Sequence, residues 1–113
     1  MESWQLDFEW LRTQHLVQNT MKRETLPDLN TVLFLVGIQE LGRWKRAFTK
    51  EEKQDLMHIG ICRLLSDSGY YELESIDQDG WPHYTLINPL PKFDLIEQEK
   101  LLRMHIKEYF KNL

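Results

Sequence analysis

The chain has 113 residues, of which 42% are hydrophobic and 28% are charged. This length and apolar content suit one core, so we expect residues 1–113 to form a single domain. The net charge is only −4, with acidic and basic residues mixed along the chain, so no long-range field attracts nucleic acid or an anionic membrane. The most apolar stretch, residues 32–38, is far shorter than the roughly 20 residues that cross a bilayer, which excludes a membrane span.

Cysteine usage and the first residues of the sequence bear on location. Cys62 is the single cysteine, so an internal disulfide is excluded. Residues 1–4 lack the basic and apolar segments of a signal peptide. We therefore expect a soluble, cytoplasmic protein.

The first predicted helix begins at Ser3, a suitable N-cap, and continues to about Met21. It carries two apolar rows on nearly opposite sides. The first row consists of Trp4, Phe8, Leu11 and His15, and the second consists of Leu6, Trp10, Val17 and Met21. Because one row is enough to face the core, the other needs a second partner, either elsewhere in this chain or in another molecule.

The second predicted helix begins between Asp28 and Thr31 and ends at Gly42. Its first two turns have almost no polar face, so we expect it to lie at the centre of the core. A basic and aromatic loop, residues 43–48, follows it.

The third predicted helix begins at Thr49, which forms the pattern of a capping box with Glu52. It is mostly apolar from residue 56 to residue 65, and Gly60 permits a close contact with another helix. It ends at the turn residues 66–69. Helices two and three are therefore predicted to be the buried pair.

Residues 70–87 are predicted to form a β-hairpin with residues 77–80 at its tip. A loop of two or four residues places Tyr71 and Leu73 on the same face as Tyr84 and Leu86, so we predict this even loop and this inner face. The other face is expected to be solvated and carries Glu72, Glu74, Ile76, Trp81, His83 and Thr85. Pro82 indicates that the hairpin is not part of a wider sheet.

Asp94 and Glu97 predict a capping box for a fourth helix over residues 95–111. Leu101 and Met104 fall outside its apolar stripe. The predicted fold class is therefore α+β, with four helices and one antiparallel β-hairpin between helices three and four.

Asp55, His58 and Cys62 are the candidate metal ligands, because their spacing of three and four residues places them on one face of the third helix. A tetrahedral site needs three or four protein ligands, and no Cys-x-x-Cys or His-Glu-x-x-His motif completes one. The alternative interpretation is a core histidine beside a core cysteine. His83 is expected near Glu74 on the solvated hairpin face, remote from His58.

The motifs of common enzymes and cofactor sites are lacking. Cys62 lies within an apolar helix body, away from a helix N-terminus that would lower its pKa. There is no Gly-x-Ser-x-Gly elbow and no glycine-rich phosphate loop. These observations disfavour an enzyme and indicate no cofactor, although catalytic groups distant in sequence can still converge.

The order of helices, hairpin and closing helix resembles that of winged-helix proteins. The resemblance implies that the third helix enters the major groove of DNA and that the hairpin touches the backbone. However, residues 65–90 contain five acidic residues and no Lys or Arg, so phosphate would repel such a wing. The remaining candidates for nucleic-acid contact are Arg43, Trp44, Lys45, Arg46 and Lys50.

The preferred hypothesis is a non-catalytic protein that binds another protein, with self-association into a homodimer as one form of it. Its basis is apolar surface beyond what a small core can cover. The interaction candidates are Leu6, Trp10, Val17, Met21, Ile76, Trp81, Leu101 and Met104. The alternatives are nucleic-acid binding through the 43–50 loop and metal binding through His58 and Cys62, and no small-molecule ligand is identifiable.

Overall fold

The computed structural model describes residues 3–45 and 47–113. Its elements are α1 (Ser3–Thr20), α2 (Leu29–Leu41), α3 (Lys50–Ser66), β1 (Tyr71–Ile76), β2 (Pro82–Leu86) and α4 (Leu95–Lys111). The predicted α+β class, with its hairpin between the third and fourth helices, is confirmed, whereas the winged-helix resemblance rests on element order alone. Within the described residues, no helix has the length and apolar character needed to cross a membrane.

Side-chain caps set where three of the helices begin. The Thr49 hydroxyl accepts from the backbone N–H of Glu52 at 3.1 Å, and the Glu52 carboxylate accepts from the N–H of Thr49 at 2.9 Å. The predicted capping box of α3 is therefore present. Asp28 and Asp94 cap α2 and α4, each accepting the backbone N–H three residues later at 2.8 Å. Such a cap stabilises a helix by about 1 kcal/mol.

Contacts within the chain divide it into two units. The terminal unit is the chain up to Val32 together with Phe93–Leu113, and the central unit is Leu33–Lys92. α1 packs against α4 in the terminal unit, and α3 packs against the hairpin in the central unit. The single-domain organisation stays a prediction.

In the terminal unit, α1 turns its second apolar row inwards. The members of this row, Leu6, Trp10, Val17 and Met21, are buried or half-buried. The Arg103 guanidinium of α4 lies 5.1 Å from the centroid of the Trp10 ring. Lys107 donates a hydrogen bond to the Glu9 carboxylate at 2.9 Å. The row counted as surplus in the sequence is thus the one that packs.

In the central unit, α2 and α3 approach each other at two glycines. The backbone of Gly37 lies against the carbonyl of Leu56, and the backbone of Gly60 lies against the carbonyl of Leu33. A Cβ atom at either glycine would come closer to that carbonyl oxygen than 3.0 Å, which real Cβ atoms essentially never do. The contact is reciprocal, and it exists because neither position carries a side chain, as predicted for Gly60.

A hydrophobic cluster fills the central unit. Its buried members are Ile38, Leu41, Phe48, Leu56 and Ile59, and Phe34, Trp81 and Tyr84 pack against them. The rings of Phe34 and Phe48 meet edge to face, with centroids 5.6 Å apart. Because each fully buried side chain of this size contributes about 1.5–3 kcal/mol of transfer free energy, the cluster is a principal source of stability for this unit.

The two strands pair the residues that the sequence predicted. Tyr71 is opposite Leu86, and Leu73 is opposite Tyr84, so the predicted inner pairing is confirmed. Tyr71 and Tyr84 are half-buried, whereas Leu73 and Leu86 remain 48% and 49% exposed. The tyrosines therefore account for most of the packing of this face.

The tip of the hairpin differs from the predicted even loop. The N–H of Asp77 donates to the carbonyl of Trp81 at 3.0 Å, so the loop between them has three residues. Gly80 closes it in the left-handed conformation, with φ of 87°, as is usual for three-residue loops. A β-bulge between Leu73 and Ser75 adds one residue to β1 and compensates for the odd loop.

The position of Trp81 corrects the predicted outer face. Trp81 was expected to be solvated there, but it is half-buried and packs against the hydrophobic cluster. The reason is that Trp81 lies between the loop and β2, so the alternation of faces along the strand does not fix the side that it faces. Ile76 remains on the surface, 62% exposed.

The helix crossing leads to a stability prediction. We expect Gly37→Ala and Gly60→Ala each to lower the free energy of unfolding by about 3 kcal/mol, because the new methyl group forces the two backbones apart. Gly42→Ala is the control, since it has a φ of 75° but meets nothing within 4 Å and should cost only about 1 kcal/mol. Urea unfolding measures all three, and equal losses would contradict the role of the crossing.

Candidate functional site

A cleft of about 350 Å³ lies between α3 and the hairpin of the central unit. Its lining residues are Asp55, His58, Ile59 and Cys62 from α3, and Asp77, Trp81, Pro82, His83 and Tyr84 from the hairpin. The three candidate metal ligands of the sequence therefore do share one face of α3. The hairpin adds a second histidine and a second aspartate.

The α3 wall of the cleft contains a histidine and a cysteine in contact. Nε2 of His58 lies 3.5 Å from Sγ of Cys62, one helical turn away. The His58 ring also meets the ring of Tyr71 edge to face at 6.4 Å. Burial raises the pKa of the Cys62 thiol to about 11, so the thiol is neutral at physiological pH and is a poor nucleophile.

A complete metal site is not assembled in the part of the chain that the structure describes. There, no group of three or more His, Cys, Asp or Glu side chains is placed to hold a metal ion. The metal hypothesis through His58 and Cys62 stays untested by this geometry, which supplies a pair of side chains rather than a set.

The hairpin wall is organised by one carboxylate. Oδ1 of Asp77 accepts the backbone N–H groups of Asp79 at 2.9 Å and of Trp81 at 3.0 Å. Oδ2 of Asp77 lies 2.9 Å from Nε2 of His83. The hydrogen bond from His83, followed by that from Trp81, holds the pKa of the Asp77 carboxyl below its usual value. Asp77 therefore fixes both the tip and the His83 ring.

The position of His83 corrects a sequence prediction. His83 pairs with Asp77 and not with Glu74, which instead accepts a hydrogen bond from the Thr85 hydroxyl at 2.7 Å. His83 also lines the same cleft as His58, so the expectation that the two are remote is wrong. The bulge at Glu74 is the cause, because it places Ser75 and not Glu74 opposite His83.

Two further residues of the cleft differ in their surroundings. Asp55 is exposed, and its carboxylate has no hydrogen bond or ion pair among the described residues. Burial raises the pKa of Tyr84, and the nearby carboxylate of Glu40 raises it further, so its phenol stays neutral. The cleft thus combines one carboxylate with no partner in the described part of the chain, one anchored carboxylate and neutral aromatic groups.

Two cations of the 43–50 loop already have partners within the chain. The Arg43 guanidinium donates to the backbone carbonyl of Asp79 at the hairpin tip. The Lys45 ammonium donates to the Glu52 carboxylate at 2.7 Å. A nucleic acid would have to compete with these contacts for the two side chains.

The remaining candidates for nucleic-acid contact are less constrained. Trp44 is 67% exposed and meets Phe48 edge to face at 6.0 Å. Lys50 is exposed at the start of α3, and Arg46 lies outside the described residues. Among the described residues of the loop, Trp44 is thus an exposed ring and Lys50 an exposed cation.

The exposed apolar surface of α1 is the row opposite to the one selected from the sequence. Trp4, Phe8 and Leu11 are 67%, 55% and 43% exposed, and His15 at the end of the row is also exposed. Thr13 lies between Trp10 and Val17 in the buried row, but a polar residue at this position gives no signal in the sequence that the row is buried. Thr13 is buried and its hydroxyl donates to the carbonyl of Glu9 at 2.9 Å.

The last two interaction candidates lie on α4. Met104 is 61% exposed, whereas Leu101 is half-buried. Leu95 and Ile96 are also exposed, although neither was an interaction candidate and Leu95 was expected in the apolar stripe of this helix. The terminal unit therefore presents apolar side chains on both of its long helices.

The pKa of Asp77 predicts an effect of acid on stability. The pKa lies below the ordinary value of 3.8 in the folded chain, so the ionised carboxylate stabilises the fold fully above that value and progressively less as the pH falls through the folded pKa. We expect Asp77→Asn to lose stability at neutral pH and to show a flatter decline of the urea midpoint below about pH 4. Parallel declines in the two proteins would contradict this.

The pKa of Cys62 predicts slow alkylation. Its rise from 9.0 to about 11 lowers the thiolate fraction at pH 8 by about a hundredfold, and burial restricts access further. Iodoacetamide should therefore modify the folded chain at least that much more slowly than the urea-unfolded chain, as mass spectrometry would measure. Comparable rates would show that the thiol is accessible and ionised in the fold.

Comparison with protein families, with curated proteins and with solved structures gives no match for this chain. No family therefore supplies a fold name, an activity or a set of functional residues.

Proposed function

We propose that this chain acts by binding another protein through the exposed face of α1, with a second copy of the chain as the first partner to test. The observation that carries the proposal is the row of Trp4, Phe8 and Leu11, all exposed on one side of the helix. Isolated apolar side chains are ordinary on protein surfaces. A row at helical spacing that includes two aromatic rings is typical of an interface.

The chemistry of the row suits association. Trp and Phe bring large apolar areas with few rotatable bonds, so they lose little entropy when they are buried. Asp7 and Arg12 are exposed on α1, and polar residues of this kind are usual at the rim of an interface.

The size of the row limits the affinity that it supports. Complete burial of each of its three side chains contributes about 1.5–3 kcal/mol, while association costs at least about 4 kcal/mol of translational and rotational freedom. One row therefore leaves at most about 5 kcal/mol, a dissociation constant no tighter than about 0.2 mM. A symmetric dimer buries the rows of both copies, which is enough for association in the micromolar range. The exposed Met104, Leu95 and Ile96 of α4 are further apolar groups of the same unit that a larger interface would use.

The two alternatives have less support. Nucleic-acid binding through the 43–50 loop loses Arg43 and Lys45 to internal contacts. Metal binding through His58 and Cys62 has a neutral thiol and no complete donor group within the described residues. A salt-dependent gel shift with DNA or RNA, or stoichiometric metal in untagged protein, would favour them again.

Self-association is tested by sedimentation velocity. We expect the sedimentation coefficient of the unmodified chain to rise with concentration in the micromolar range. Phe8→Glu should remain monomeric, because it places a charge within the apolar row. Ile76→Glu makes the same kind of change at a comparably exposed aliphatic residue of the central unit, so this control should associate like the unmodified chain.

Two results would count against the proposal. An unmodified chain that is monomeric at all concentrations would contradict self-association. Equal loss of association in Phe8→Glu and Ile76→Glu would contradict the role of the exposed α1 face. Circular dichroism of both variants checks that neither result comes from unfolding.

A further inference from the structure

The cleft between α3 and the hairpin takes no part in the proposed α1 interaction. We propose that this cleft binds a small organic cation, namely an ammonium or guanidinium group carried on a short apolar body. The inference rests on the charge, the aromatic lining and the size of the cleft, and it is independent of the proposed function.

The charge of the cleft selects the sign of its ligand. Two carboxylates, those of Asp55 and Asp77, line it, and no Lys or Arg is found among the described lining residues. Negative charge in a concave site raises the local concentration of cations and repels anions. The cleft is therefore suited to a cation.

The two carboxylates have different roles. Asp77 is held by its bonds to the N–H groups of Asp79 and Trp81 and by His83, so it organises the hairpin wall. Asp55 has no partner among the described residues and is exposed on α3. A bound cation would supply the partner that Asp55 lacks, without breaking an existing contact.

The apolar lining suits an organic cation more than a metal ion. Trp81, Tyr84, Pro82 and Ile59 form this part of the cleft. Aromatic rings attract ammonium and guanidinium groups, and Trp does so most strongly. Because Trp81 and Tyr84 also pack against the hydrophobic cluster, they are held in place before any ligand arrives, which lowers the entropic cost of binding. A metal ion would instead require a group of three donors, which the described residues do not provide.

The size of the cleft limits the ligand. About 350 Å³ is near the lower end of the range for ligand pockets, about 300–1,000 Å³. It accommodates one ring or one short chain bearing the charged group. A free amine and the side chain of a lysine in another protein share this chemistry, and the choice of probes distinguishes them.

Three probes of similar shape test the proposal by NMR titration of the full chain. Benzylamine carries a positive charge at pH 7, benzyl alcohol is neutral and benzoate is negative. We expect benzylamine to shift the Trp81 indole and the hairpin amides at lower concentrations than benzyl alcohol, and benzoate to cause no saturable shift. Nα-acetyl-lysine amide, whose side-chain ammonium is free, is titrated alongside, and whichever of the two amines binds more tightly distinguishes a free amine from a lysine side chain as the source of the natural ligand.

Asp55→Asn is the decisive variant, and Glu72→Gln is its matched control. Both substitutions remove one negative charge from an exposed residue, but Glu72 does not line the cleft. Asp55→Asn should weaken benzylamine binding by about two- to fivefold, as expected for an exposed ion pair. Glu72→Gln should leave it nearly unchanged. Added salt should weaken benzylamine binding more than benzyl alcohol binding.

The proposal is overturned if benzylamine causes no saturable shift, if benzyl alcohol binds equally well, or if both variants weaken binding by the same factor. Its failure is distinguishable from that of the α1 interaction. Phe8→Glu should retain benzylamine binding, and Asp55→Asn should retain self-association. Each variant thus tests one surface while reporting on the integrity of the other.

Discussion

The close crossing of α2 and α3 is the contact on which the central unit depends. Gly37 and Gly60 each lie against a backbone carbonyl of the opposite helix, so the two helices meet through main-chain atoms at both points. This separation places Leu56 within the cluster that also receives Trp81 and Tyr84 from the hairpin. The hairpin therefore packs on a surface formed by α2 and α3, whose close approach depends on glycine at positions 37 and 60.

The geometry of the cleft depends on the three-residue loop and the β-bulge of the hairpin, which together keep Tyr71 and Tyr84 on the same face. A three-residue loop alone would turn the tyrosines of the two strands to opposite faces. The bulge between Leu73 and Ser75 removes that conflict, so the tyrosine pairing survives while the tip carries Trp81, His83 and Asp77 towards α3. Because β1 contains one extra residue, the same hairpin presents both an apolar inner face and a polar wall of the cleft.

The sequence was sufficient where the deciding interactions are local. The caps at Thr49 and Asp94 lie within three residues of their partners, so their patterns located α3 and α4 correctly. The bulge was not predictable, because residues 71–76 contain no glycine or other local signal that marks one. The buried row of α1 was also misassigned, since the choice depends on which side α4 covers. Helical spacing predicted the residues that α3 contributes to the cleft. The contribution of His83 could not be predicted, because it depends on the register between β1 and β2.

The bulge has a further consequence for the edges of the hairpin. Within the described residues the sheet has only two strands, so both strands present an edge to which another chain could add. The bulge interrupts the edge of β1, Pro82 removes a donor from β2, and the exposed Glu72 and Glu74 place negative charge on β1. Each of these features hinders edge-to-edge pairing. The feature that shapes the cleft thus also hinders the addition of another strand to the edge of the hairpin.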